Sequence, residues 1–300
     1  MNKKELYLNK DRIIKGITAD GFFKIAVVKS TDVVKLAREY HELSLLPTVL
    51  LGRSLTGALL LAAELKGEER IRLQLEGNGP IGNIIVEANA IGEARGYVQH
   101  PDAQLDYEST NNIGDGLGLG LLSFSKTLYN EARPITGTVE LMTGNITDDI
   151  AYYLYQSEQI PSAISLDVGI DEDGEITHAG GILIQALPGA PENGIAMLEE
   201  SLKELLPLSD RFLDGDYIDT LLHKVAKDLK AKELSRGPVH FFCRCTKDRF
   251  ITALSMLSID ELEEMKHETQ ELVCHYCNKK YFITPPEIRT LVHGLKAKLN

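Results

Sequence analysis

The residues of this 300-residue chain best equipped for chemistry are its four cysteines, and all of them fall near the C-terminus. They form two tight pairs, Cys243-Arg244-Cys245 and Cys274-His275-Tyr276-Cys277, separated by the 28 residues from Thr246 to Val273. Four thiols in two pairs can supply a closed Cys₄ site. Zn²⁺ takes four tetrahedral ligands and thiolates suit it, so Cys243, Cys245, Cys274 and Cys277 are candidate ligands of one zinc ion. The second pair has the form of a knuckle, in which two intervening residues let the turn aim both sulfurs at one point. Asn278 follows where a left-handed residue, usually Gly, is expected, and Asn tolerates that conformation. The first pair is less usual, because only Arg244 intervenes. In an extended segment Cys243 and Cys245 project from one face and can ligate one metal. They are also close enough for a disulfide, though a strained one.

The residues alone leave two readings open. One is a purely structural zinc site. The other is a zinc site that doubles as a thiol switch, which the Cys-X-Cys spacing favours because a strained disulfide is labile and regulatory. Four unrelated buried thiols fit poorly with two tight pairs and no stray cysteine. Permanent disulfides fit poorly with a reducing compartment. His240, His267 and His275 are alternative ligands that four cysteines make unnecessary.

The rest of the chain sets the context. Hydrophobic content of 43% and charged content of 25% describe an ordinary soluble globular protein with ample core material. A net charge of −12 argues against a nucleic-acid surface, whose footprint is basic; Lys224 to Lys232 is only a short basic piece. The opening MNKKELYLNKDR has no apolar run behind it, so no secretory signal is expected. Leu45 to Leu65 is interrupted by Pro47, Gly52, Arg53 and Gly57, so it is expected to be a core helix, not a membrane span. The expected compartment is the cytoplasm, with neither nucleic acid nor membrane as partner.

Elements able to position the cysteines follow from periodicity. Strands are predicted over Arg12 to Thr18, Phe22 to Lys29, Arg70 to Glu76, Asn83 to Ala88, Ala94 to Gln99 and Thr136 to Met142, with a hairpin of Ala163 to Ile170 and Ile176 to Leu187. Helices are predicted from a cap at Ser30 or Thr31 through Leu43, from Pro47 to about Lys66, and over Asp148 to Ser157 capped by Thr147. The short strands suggest an antiparallel sheet with helices on one side, an α+β fold. Gly114 to Gly120 reads as a turn, since no Lys-Ser/Thr follows as a phosphate loop requires. Asp171 to Gly174 reads as a hairpin turn, too short for an EF-hand. Pro188 to Pro191 marks a boundary. Beyond it, Ile195, Leu198, Leu202, Leu205 and Leu206 form one apolar helix face, and Ile218, Leu221, Leu222, Val225 and Leu229 form another, with Lys224, Lys227, Lys230 and Lys232 opposite. Two such helices cannot make a core alone and must lie against the preceding domain. The expected organisation is an N-terminal mixed sheet-and-helix core over 1–188, a helical connector over 189–235, and a small Cys₄ zinc-binding module over 236–300. That module's apolar content is thin, so it should depend on its metal.

These residues together resemble one family, the redox-regulated holdases known as the thirty-three-kilodalton heat shock proteins. The likeness includes Leu65-Lys66-Gly67 with Glu69-Arg70, Glu76 to Gly82, Ala94 to Val98, Gly137 to Leu141, Asp148 to Tyr153, Ser157 to Ala163, Gly180-Gly181 and Gln185 to Pro191. It runs the full length, and the Cys-X-Cys, 28-residue, Cys-X-X-Cys spacing is its most specific part. The resemblance implies a chaperone and not an enzyme. Reduced, the four cysteines would hold one Zn²⁺ and the chaperone would be inactive. Peroxide with mild unfolding, or hypochlorite, would form the disulfides Cys243–Cys245 and Cys274–Cys277 and release the zinc. The module and connector would then unfold, and the exposed apolar surface would bind unfolding proteins without ATP. The oxidised form would tend to a homodimer.

Overall fold

Two antiparallel pairs begin and end the first half of the molecule. In the computed structural model, which describes residues 10–106, 110, 112–131 and 133–299, Arg12–Thr18 (β1) and Phe23–Lys29 (β2) pair around the turn at Gly21. Far along the chain, Ser162–Ile170 (β8) and Ile176–Ala186 (β9) make the predicted hairpin, and β9 lies directly against β2. Between these pairs run five more strands: Arg70–Gly77 (β3), Asn83–Asn89 (β4), Glu93–Val98 (β5), Gly120–Thr127 (β6) and Ile135–Glu140 (β7). With Ala231–Pro238 (β10) and His240–Phe241 (β11) from farther along the chain, these strands make two sheets, one ordered β10-β1-β2-β9-β8 and the other β11-β5-β4-β3-β6-β7. The reading of the first nine residues as lacking a secretory signal lies outside the described residues.

The α+β class holds, but one sheet with helices on one side does not. Thr31–His41 (α1) leads to Leu45–Ala62 (α2), and α2 packs on β3, β4 and β5 of one sheet and on β2, β8 and β9 of the other. Its apolar residues encircle it, which is the pattern of a helix buried on all sides. α2 is long and apolar enough to cross a membrane, yet 78% of it is buried inside the protein. Two caps also differ from expectation. Asn145, in extended backbone, caps Ile146–Gln156 (α3) by accepting from Thr147 N at 3.3 Å. The side chain of Ser30 makes no cap bond for α1. Asp11 does that work from β1's start, its Oδ2 accepting from Val33 N at 2.8 Å. The Gly-rich stretch is a turn: Gly116 O accepts from Ile81 N at 3.0 Å and Leu117 O from Gly79 N at 2.7 Å. A Cβ on Gly77 would meet Leu117 O at 2.1 Å, so the two turns can touch only through glycine.

Past Pro191 come Gly194–Lys203 (α4), Leu208–Leu213 (α5) and Ile218–Ala226 (α6). Their apolar faces are largely buried, but Leu206, placed on the first face by periodicity, lies beyond α4 and is exposed. Leu198, Leu202, Leu208, Phe212, Leu221, Leu222 and Val225 join Ile14, Phe23, Ile25, Val27, Ile182 and Ile184 in one core cluster. The final helix, however, does not continue through the lysines. Lys227 and Lys230 adopt φ of 45° and 48°, and such left-handed residues end a helix. Ala231–Pro238 (β10) instead pairs antiparallel with β1, and His240–Phe241 (β11) pairs parallel with β5. Helical periodicity over these residues was overridden by two open sheet edges nearby.

The chain divides into two compact units, Met1–Phe242 and Cys243–Asn300. The second contains Lys247–Leu254 (α7), Ile259–Met265 (α8), the hairpin Gln270–Val273 (β12) and Lys280–Ile283 (β13), and Pro285–Leu299 (α9). Ser258 and Glu261 form a reciprocal capping box on α8. Lys247 on α7 pairs with Glu287 on α9 at 2.7 Å. The unit's core is small: Leu254, Leu262, Ile283, Ile288 and Val292, with half-buried neighbours such as Leu272 and Leu291.

Candidate metal centre

Two loops bring the cysteines together. The β12–β13 hairpin carries Cys274 and Cys277 in its turn. Cys274 O accepts from Asn278 N at 2.7 Å and from Cys277 N at 3.3 Å, while Cys274 N donates to Lys279 O at 3.0 Å. Asn278 has a φ of 55°, the left-handed conformation expected of it. The other loop carries Cys243 and Cys245 and ends at Thr246, whose Oγ1 caps α7 by accepting from Arg249 N at 3.3 Å. A helix therefore starts just after Cys245, beyond the cap residue, which fixes the direction in which that cysteine leaves the backbone.

All four sulfurs lie within 4.8 Å of one another, and no histidine joins this group among the described residues. Two approaches run between the loops: Cys243 Sγ to Cys274 Sγ at 3.7 Å and Cys245 Sγ to Cys277 Sγ at 3.4 Å. None of the four is in a disulfide. Cys274 is buried and the other three are half-buried. Such a cluster could hold a metal ion.

The environment divides the thiols. Burial pushes Cys277 and Cys274 above the ordinary thiol range. Burial works against ionisation of Cys245 too. There, the hydrogen bonds from the Tyr281 hydroxyl and the neighbouring thiols outweigh it, and its pKa falls below the ordinary value. A cation at the centre would favour the thiolate form of all four, since a coordinating thiol is deprotonated outright.

Tyr281 is a residue that sequence reasoning missed. The hydroxyl of Tyr281 donates to Cys245 O at 2.9 Å and lies 3.2 Å from Cys245 Sγ. Its ring packs on Phe250 of α7 at 5.1 Å, and Lys279 Nζ sits 5.4 Å from the ring centre. The tyrosine pins the Cys-X-Cys loop to the hairpin. Its signal was its place on the strand leaving the knuckle, four residues after Cys277.

The chain matches the family model described as Hsp33 protein over residues 11–284. It is 37% identical to the 33 kDa chaperonin of Desulforamulus reducens, over 96% of this chain and 99% of that one. It is 40% identical to a 33 kDa chaperonin of Thermus thermophilus, over 94% of this chain and 86% of that one. The crystal structure of the 33 kDa chaperonin of Thermotoga maritima superposes with a TM-score of 0.86 at 32% identity, covering 97% of this chain and 99% of that one. A likeness in sequence, in fold and over nearly the whole length of each relative places this chain in the Hsp33 family.

Proposed function

We propose that this protein is an ATP-independent holdase whose client-binding surface is controlled by a zinc–thiolate redox switch, and that it is a chaperone and not an enzyme. One observation carries the switch. Four sulfurs of four cysteines converge within 4.8 Å, with cross-loop separations of 3.7 and 3.4 Å. Tetrahedral zinc with Zn–S bonds of about 2.3 Å places its sulfurs about 3.8 Å apart, so the donors fit the ion in number, type and spacing. Bound there, Zn²⁺ would hold the sulfurs as thiolates and supply most of the module's folding free energy.

Cys243, Cys245, Cys274 and Cys277 then serve both as ligands and as redox centres. Formation of each disulfide, Cys243–Cys245 and Cys274–Cys277, takes two electrons from its pair of thiolates. One peroxide accepts them, its O–O bond breaks, and with two protons it leaves as two waters. Both disulfides together consume two peroxides and remove all four thiolate donors. The module, with five buried apolar side chains in its core among the described residues, would not stay folded on packing alone. The proposed division has 236–300 as the switch, 189–235 as the connector it releases, and 1–188 as the core whose apolar face the connector covers. Leu198, Leu202, Leu221, Leu222 and Val225 above, with Phe23, Ile25 and Ile182 beneath, become available to unfolding clients. The proposed setting is the cytoplasm, with a homodimer on oxidation and neither nucleic acid nor membrane as partner.

The test measures zinc content, thiol titre and light scattering of a denatured reporter protein, before and after peroxide at heat-shock temperature. Zinc release together with suppressed scattering is expected. Zinc retained through oxidation would overturn the switch, and unchanged scattering would overturn the holdase.

A further inference from the structure

The segment joining α6 to the cysteine module is a strap laid over the edges of both sheets of the first unit. It begins where Ala19 N donates to Leu229 O and Lys230 O at 3.0 and 2.8 Å. It continues as β10 along the whole of β1. It then crosses to the second sheet through Val239 N to Asp11 O at 3.3 Å, His240 N to Gly92 O at 2.9 Å and Phe242 N to Ala94 O at 2.9 Å. Gly92, at a φ of 82°, makes the crossing possible, because a Cβ there would meet Pro238 O at 2.2 Å. Cys243 follows Phe242 directly in sequence.

The strap is held by its backbone far more than by its side chains. Lys232, Glu233, Leu234, Ser235 and Arg236 are all exposed. The register slips between Lys15 and Gly16, leaving Leu234 without an opposite residue. Val239 and Phe241 are its only buried anchors, with Phe241 edge-on to Tyr40 at 5.4 Å. A strand with so little buried apolar surface is among the first parts of a fold to open.

We infer that β1, uncovered when the strap β10 peels away, is a backbone-recognising edge that takes an extended segment of unfolded client as an added strand. This rests on the holdase reading and names where part of the client would bind. An open sheet edge templates pairing with another chain, and main-chain hydrogen bonds give affinity whatever the sequence. That suits a partner class with no common sequence. The seat is already shown to accept a strand, since β10 occupies it. Ile13 and Ile17 are half-buried along β1, and Ile14 is buried. A client segment alternating apolar residues would cover them better than the polar Ala-Lys-Glu-Leu-Ser-Arg-Gly-Pro of the strap.

The experiment uses the full-length zinc-loaded chain carrying Ile17→photo-leucine, with Leu121→photo-leucine on exposed β6 as the control. Each is irradiated with a chemically denatured reporter before and after peroxide. Oxidation is expected to raise cross-linking to the reporter several-fold at position 17 and little at 121. An excess of a peptide copying residues 229–239 should reverse the rise, and a scrambled peptide should not. A Val239→Ser/Phe241→Ser variant with unaltered zinc content should reach the same cross-linking at a lower peroxide dose. If scattering is suppressed but position 17 gains nothing, or cross-links only to a second copy of the chain, the edge proposal is overturned while the holdase stands. If scattering is not suppressed at all, the holdase reading fails and this inference with it.

Discussion

The connector helices and the cysteine module are of similar size, and they solve the problem of burial in opposite ways. The segment from α4 to α6 contributes ten side chains, from Leu198 to Ala226, to a cluster completed by β1, β2, β8 and β9. The cysteine module brings only Leu254, Leu262, Ile283, Ile288 and Val292 fully inside. Its remaining order converges on four sulfurs within 4.8 Å. One region is stabilised by apolar area, which no mild oxidant can alter. The other, in the proposed switch, rests on four sulfurs that two peroxides would change. A chain that couples the two can turn a small chemical event into the exposure of a large surface. The coupling depends on the weaker region giving way first.

The largest effect that would break this contrast is loss of the metal. Structural zinc contributes on the order of 10 kcal/mol to small domains, against a total stability of about 5–15 kcal/mol for a whole domain. Chelation, or Cys274→Ser at the buried member of the proposed ligand set, is expected to unfold residues 243–300 while the first unit keeps its sheets. Hydrogen exchange resolved by segment would show it; protection retained in α8 and α9 would mean that the small core suffices. Next in size is Leu222→Ala. Leu222 is fully buried and packs over Gly16 of β1, and such a truncation costs about 2–5 kcal/mol. Urea unfolding should record that loss, with a hydrophobic dye binding the reduced variant more strongly than the parent protein. A loss well under about 1 kcal/mol would show that α6 is not anchored by its apolar face.

The sequence revealed these two regions unequally. The four cysteines, the left-handed Asn278 and the amphipathic faces of α4 and α6 were all legible, because each depends on spacing or on a local backbone preference. What was not legible depends on partners distant in sequence. The β2–β9 pairing joins Phe23 to Ala186 and Lys29 to Gly180, so the second sheet and the place of α2 between the two could not be read from any window. Strand β10 was hidden for the same reason. Its residues alternate no better than a helix face does, and only the open edge of β1 makes them a strand. Asp11 as a cap for α1 and Tyr281 as a clasp for Cys245 are likewise tertiary facts.

Asp11 sharpens the contrast from the stable side. It is buried, one oxygen caps α1, and the other has no hydrogen-bond partner. Burial raises its pKa from 3.8 to about 8, despite the Val33 N–H that favours the charged form. A carboxyl raised by folding binds its proton more tightly in the native than in the unfolded state. Its contribution to stability is therefore greatest below pH 3.8 and declines as pH rises towards 8. Asp11→Asn keeps an oxygen for Val33 and removes the titration. The stability of the variant relative to the parent is expected to improve by about 1 kcal/mol or more between about pH 5 and pH 8. Denaturant midpoints across that range would show it, and parallel curves would place the proton elsewhere.

The smallest effect belongs to Tyr281→Phe, and it probes the labile side alone. The ring keeps its packing on Phe250, so the substitution removes little apolar contact. It deletes the hydrogen bond to Cys245 O and the approach to Cys245 Sγ, worth about 0.5–1.5 kcal/mol together in a partly exposed setting. The Cys-X-Cys loop would then be held to the hairpin by the metal and Thr246's cap. Zinc transfer to a chromophoric chelator is expected to quicken up to about tenfold, since about 1.4 kcal/mol is one decade, while the urea midpoint of the first unit stays unchanged. The comparison gives the result its meaning. A shift in the first unit would show that the regions are coupled through more than the switch, and unaltered zinc release would leave the loop dependent on the metal alone.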